Sequence, residues 1–302
     1  MDNSYKTLPP GIIDRGLQNL ARLGSERFAA SDSVCKSEAL EGFRKAQLLA
    51  YECVTDVGAR LAPGMSEKQA AQMLEDYLKA VGCERFIHRP FAWFGDHSRF
   101  DGYRGFGDFH PGERRLTIDA PVILDVSPVV EGYTADVGYS MCLQENSELE
   151  DAMDFLGELR NQLPGLFESD LTAQDIWHTV HQQVTEAGFD NIHALYPLSV
   201  LGHRVFKLRE RGRKARRVPL GAFGWFSLET NLNFLKAGVG AALTPDNLGP
   251  KTGLWAIEPH IGWPGGGAKF EEILVVDAQG ARWLSDDVPH ATRTCFLSEG
   301  SS

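Results

Sequence analysis

Apolar positions along the chain change period several times, and each change predicts an element. From Ser37 the residues Leu40, Phe43, Gln47, Ala50, Val54, Val57 and Leu61 recur at three- and four-residue steps, the spacing of one helix face. Pro63-Gly64 breaks that run. Ser66 followed three residues later by Gln69 is a capping box, and Ala70, Met73, Leu74, Tyr77, Leu78 and Val81 continue a second amphipathic helix that Gly82 stops. Two further helices are predicted over about 148–162 and 173–187, the latter opening at Thr172 and closing at Gly188. Between and after them the period shortens to that of strands: PVILDV (121–126), YTADVGYSM (133–141), GLWAIEPHIG (253–262) and AKFEEILVVDA (268–278). Residues 127–132 suggest a hairpin between the first two. Helices and antiparallel-looking strands segregate along the chain, so the predicted class is α+β.

Residues 1–34, with Pro9-Pro10-Gly11, read as an N-terminal extension, 35–290 as one folded domain and 291–302 as a tail. Five cysteines, an odd number without a CxxC pair, do not make a disulfide framework and fit a reducing compartment. No segment has the apolar length of a membrane span and the N-terminus lacks a signal-peptide core, so the expectation is a cytoplasmic protein. A net charge of −11 argues against nucleic acid or an anionic membrane as partner. What remains is a small-molecule or short-peptide substrate, with a homodimer left open.

The chemistry is carried by acids inside apolar strands. Asp125 follows Val122-Ile123-Leu124, Asp136 lies eleven residues on across a short turn, Glu258 interrupts LWAIEP, and Glu271 lies thirteen residues after it across a glycine-rich turn. A buried lone carboxylate is costly, so such residues pair with a cation or a metal. Four acids on two hairpins, with one histidine, form an oxygen-rich set suited to a pair of divalent ions: Mn, Co, Fe or Zn.

LDVSPVVEGYTADVGYSM, LWAIEPHIG and AKFEEILVVDAQGARWLS, with PGERRL ahead of the first acid and the helices from Ser37 to Gly82, resemble the ordered motifs of the creatinase/prolidase/methionine-aminopeptidase family. The resemblance covers about residues 35–288. It implies the pita-bread fold, a curved antiparallel sheet flanked by helices. It also implies a two-metal hydrolase, an aminopeptidase or Xaa-Pro-peptidase-like enzyme cleaving an amide near a free N-terminus, with manganese among the candidate metals. By the same resemblance Asp125 binds one ion, Asp136 and Glu271 bridge both, and His203 and Glu258 bind the other. Glu258 would also handle the proton of the attacking water. Glu272 is the alternative to Glu271.

The chain departs from that pattern after His203. The family peptidases carry a second histidine shortly afterwards; here the run is HRVFKLRERGRKARRVP, and the next histidine is His260. For the family histidine preceding the first Asp strand, His110 is nearest in position, then His97, with His88 a rival. His178 and His181 read as packing or surface residues. Residues 204–217 hold eight basic groups and one acid, a solvated loop or a lid for an anionic substrate. Trp225, Trp255 and Trp263 are pocket candidates. Two other functions stay open: an enzyme of the same fold acting on a non-peptide metabolite, and a binding protein that has lost catalysis.

Overall fold

A computed structural model describes residues 36–102, 106–208 and 242–292. The N-terminal extension, Trp225 and most of the basic run after Leu208 lie outside the described residues. Helix α1 (Ser37–Ala59) and helix α2 (Glu67–Ala80) come first, and α2 carries the predicted capping box: Ser66 Oγ accepts from Gln69 N and Gln69 reciprocates. Val81 ends the predicted apolar stripe of α2 but is 53% exposed, because Gly82 turns the chain there at φ +84°.

Strands β1 (Phe91–Phe94), β2 (Val122–Val126) and β5 (Val137–Met141) form an antiparallel sheet in which Asp125 faces Gly138. The predicted hairpin is therefore present, with a small ladder of β3 (Val129–Val130) and β4 (Tyr133–Thr134) built into its loop. Helix α1 and helix α2 cover this sheet, burying Val54, Val57, Leu74 and Leu78 against Val122, Leu124 and Tyr139.

Helix α3 runs Ser147–Glu168, six residues past the predicted end and through Pro164. Proline removes the N–H that would bond Arg160 O. That carbonyl is instead taken by Trp283 Nε1 at 3.1 Å, so a tertiary contact fills the local gap. Helix α4 (Ala173–Glu186) opens with Thr172 and Asp175 in a second capping box.

A second region is built on one long bent hairpin. β9 (Gly253–Ile257) pairs with β12 (Glu272–Asp277), and β10 (His260–Trp263) pairs with β11 (Gly266–Lys269). The single strand expected over 253–262 is broken at Glu258-Pro259, since proline cannot donate to a ladder. β9 and β12 belong to a five-stranded sheet with β7 (Gly202–Arg204), β8 (Ala242–Leu243) and β13 (Gly280–Trp283). β10 and β11 join β6 (Asp190–Asn191) in a third sheet. Helix α3 and helix α4 pack on this half through Leu156, Leu163, Phe167, Trp177 and Val180. All ladders among the described residues are antiparallel, in keeping with the α+β reading. No helix among the described residues is long and apolar enough to cross a membrane.

The two regions are stitched where the acids lie. Glu271 N donates to Gly138 O at 3.1 Å, and Ser140 Oγ donates to Lys269 O at 2.7 Å while accepting from Lys269 N.

Candidate metal centre

The acids of the predicted set arrive from two hairpins. Asp125 is in the middle of β2 and Asp136 lies just before β5. Glu258 and Glu271 sit at the bend of the long hairpin, where each peptide N–H is bonded outside the hairpin, Glu258 N to Leu201 O and Glu271 N to Gly138 O. His203 is on β7, the strand next to β9. The side chains converge. Asp125, Asp136 and Glu271 are 1–3% exposed and Glu258 9%, so Glu258 is the acid nearest solvent.

Asp136 is the hinge of the cluster. Its Oδ1 lies 3.0 Å from His88 Nε2 and its Oδ2 3.3 Å from His203 Nε2. His88 Nε2 is also 3.4 Å from Asp125 Oδ1, and His203 Nε2 is 3.5 Å from Glu271 Oε1. Two three-residue groups thus have ligand atoms close enough to share an ion: His88, Asp125 and Asp136, and Asp136, His203 and Glu271.

Lys269 was not among the residues singled out in the sequence, yet its ammonium stands inside the acid cluster. Nζ donates to Asp125 Oδ2 at 2.7 Å, to Glu271 Oε2 at 2.9 Å and to Glu258 Oε2 at 3.3 Å, and the residue is 1% exposed. Gly138 makes this approach feasible, because a Cβ there would collide with the Lys269 stem. A signal existed: Lys269 is two residues before Glu271, so on an extended chain both face one side while Phe270 and Glu272 face the other.

Glu272, the alternative to Glu271, is held elsewhere. It is fully buried and pairs with Arg160, with His290 Nε2 2.8 Å from Oε1.

The charges are mutually tuned. Burial opposes a proton on His88, but Asp136 and Asp125 outweigh it and push the imidazole up to about 9. Burial also opposes a charge on His203, and the Asp136 and Glu271 carboxylates beside it still raise it well above the ordinary range. Burial would raise Asp136, yet the two histidines hold its carboxyl well below the usual range. Asp125 is raised by burial to about 6 against the pull of Lys269, and Glu258 to about 8 by burial and the Glu271 charge. The donor set therefore fits divalent cations. Buried Asp125 Oδ1 and Glu271 Oε1 have no hydrogen-bond partner, and a buried anionic oxygen in that state calls for a cation.

The histidines proposed for catalysis divide. His97 is not placed with the acids: Nδ1 is 2.7 Å from Glu67 Oε1 and Nε2 donates to Asp108 O at 2.5 Å, so both ring nitrogens fasten loops to the buried start of α2. His110 is exposed, 6.1 Å from the Phe91 ring, which also meets His88 at 5.0 Å and Trp93 at 5.2 Å. It belongs to neither of the two ligand-sized groups. His260 is fully buried; Nε2–H donates to Ser98 O at 2.6 Å, leaving Nδ1 to accept from Tyr196 Oη at 2.8 Å. Burial, with Lys269 nearby, keeps it neutral. Its only N–H is thus spent on the backbone. His181 stacks on Trp177, as a packing residue. Trp255 is core, beneath the Arg204 guanidinium at 3.8 Å.

The model of metallopeptidase family M24 matches residues 41–278. The chain belongs to that family. Among its relatives is an uncharacterized peptidase of Staphylococcus aureus, 23% identical over 277 residues, a stretch that covers 91% of this chain and 66% of the relative. A second, from Staphylococcus saprophyticus, is 23% identical over 180 residues, 59% of this chain and 47% of the relative. The chain thus spans just under two thirds of the length of the first of these. Solved structures of the same fold include an X-Pro aminopeptidase from Thermotoga maritima, with a TM-score of 0.64, 16% identity and coverage of 88% of this chain and 65% of that one. A prolidase from Pyrococcus furiosus has a TM-score of 0.59, 17% identity and coverage of 90% and 67%. The pita-bread architecture expected from the motifs is therefore the fold of this M24 chain.

Proposed function

We propose that the protein is a divalent-metal-dependent hydrolase that cleaves an amide bond near a free N-terminus, with short peptides, including Xaa-Pro peptides, as the substrate class. The observation that carries this reading is the convergence of Asp125, Asp136, His203 and Glu271 in two ligand-sized groups, with Glu258 joined to them through Lys269 and two buried carboxylate oxygens left unsatisfied. These five residues would hold two ions, with Asp136 and Glu271 between them. Bound ions of this kind polarise a carbonyl and acidify a water.

The chain's own contribution is positional and acid–base. Glu258 is the most accessible of the four acids and burial raises its carboxyl to about 8, so it is suited to accept and return a proton near neutral pH. Lys269 fixes one oxygen each of Asp125, Glu258 and Glu271, which sets the directions of the remaining oxygens.

A second reading is favoured by His260. Its N–H is held by Ser98 O, so it does not replace the second histidine of the family peptidases, and a non-peptide substrate of the same centre is the alternative. Dialysis against chelator, readdition of Mn or Co, and a panel of short peptides with and without proline at the second position separate the two. Metal-restored release of an N-terminal residue supports the peptidase. Metal-dependent turnover of non-peptide amides or acidic metabolites alone supports the alternative. Full activity after complete metal removal overturns both.

A further inference from the structure

We infer that His88 is a second imidazole ligand of this centre, so that each of two cation positions carries its own histidine: His88 with Asp125 and Asp136, His203 with Asp136 and Glu271. The inference rests on the metal-dependent reading above and extends it to a residue outside the five-ligand set.

The geometry at the two histidines is parallel. His203 Nδ1 is 3.2 Å from the carbonyl of the next residue, Arg204, and Nε2 faces Asp136 Oδ2. His88 Nδ1 is 2.7 Å from the carbonyl of its own next residue, Arg89, and Nε2 faces Asp136 Oδ1. An Nδ1–H tied to a backbone carbonyl leaves the Nε2 lone pair to the cluster, the arrangement that orients histidine ligands of metals. The His88 ring is held firmly. Its backbone N–H donates to Ser127 Oγ at 3.0 Å, Ser127 Oγ donates back to His88 O at 3.2 Å, and Ile87 N donates to Ser127 O. Ser127 is two residues beyond Asp125, so the His88 segment is sewn to the strand that carries the first acid.

Lys269 explains why an extra ligand is useful there. Its ammonium occupies Asp125 Oδ2 at 2.7 Å, so Asp125 has only Oδ1 left to offer a cation. Glu271 is divided the same way, Oε2 to Lys269 and Oε1 toward His203. On the Asp125 side the three remaining donors are Asp125 Oδ1, Asp136 Oδ1 and His88 Nε2, all buried. Replacing an oxygen by an imidazole nitrogen moves that position's preference toward Zn, Co and Fe and away from Mg and Ca.

The wild-type protein, loaded with zinc and freed of excess metal, tests this by elemental analysis and zinc X-ray absorption. The expected result is two zinc ions per chain with outer-shell scattering from one imidazole per zinc on average. Two zinc ions with half an imidazole each overturn the inference and leave the metal-dependent reading standing; so does a single ion with one imidazole. Failure to take up any ion overturns both. A second measurement titrates the apo His88→Asn and His88→Phe variants with Co by calorimetry, with folding checked by circular dichroism. One of the two sites is expected to weaken at least tenfold in both variants, and two unchanged sites in a folded variant overturn the inference.

Discussion

Glu271 and Glu272 are adjacent in sequence and serve opposite sides of their strand: Glu271 accepts from Lys269 Nζ at 2.9 Å, whereas Glu272 pairs with Arg160 and His290. The alternation of an extended chain makes one a ligand candidate and the other a buried structural ion. Glu272→Gln is expected to strand the Arg160 guanidinium and cost about 3–5 kcal/mol in urea unfolding, with Co affinity of the folded protein unchanged. Glu271→Gln should do the reverse. Loss of metal binding in Glu272→Gln at unaltered stability would exchange the two roles.

Lys269 is the only cation within bonding distance of three acids at the described site. Lys269→Met is therefore expected to destabilise the protein in chelator by about 3–5 kcal/mol, since buried charges lose their partner. Saturating Mn or Zn should recover most of that loss. Equal stability with and without metal would show that the acids do not need a counter-charge.

Metal affinity should depend on pH in one direction. In the metal-free protein His88 is raised to about 9 by Asp136 and Asp125 against the effect of burial, and Glu258 is raised to about 8 by burial and Glu271. Ligation needs both deprotonated, so protons compete with the ion. Affinity is expected to rise between pH 6 and 9, with proton release on binding. Calorimetry in buffers of different ionisation enthalpy measures that release, and pH-independent affinity would refute it.

His193 supplies an acid-sensitivity prediction away from the centre. It is fully buried, and burial pushes it down to about 3, with the nearby His181 acting in the same direction. The unfolded imidazole binds a proton near 6.5 and the folded one does not. Its contribution is therefore complete above about pH 6.5 and is lost as pH falls toward 3. His193→Phe should lessen the loss of stability between pH 7 and pH 5 by about 2 kcal/mol. An unchanged pH dependence in the variant would mean that His193 is already protonated in the fold.

The elements were legible because their signals are local. Capping boxes at Ser66 and Thr172, glycine stops at Gly82 and Gly188, and the apolar period gave helices whose starts agree with the structure. Acids inside apolar strands marked Asp125, Asp136, Glu258 and Glu271, since a carboxylate in such a place demands a partner wherever the strand ends up. The end of α3 is not legible locally, because Pro164 is accommodated through Trp283, more than a hundred residues away.

What the sequence by itself determined is the element order, the M24 motifs and the identity of the acids, all set by side-chain type and spacing along a few turns. What only the tertiary structure decided is which cations meet those acids. His88 and Lys269 lie in unrelated segments, and His97 and His110 are no less histidines than His88. Their roles follow from which side chain the sheets carry within about 3 Å of Asp136 and Asp125. Electrostatic partnership falls off over a few ångströms in space, and beyond the two-residue step from Lys269 to Glu271 it leaves no pattern along the chain.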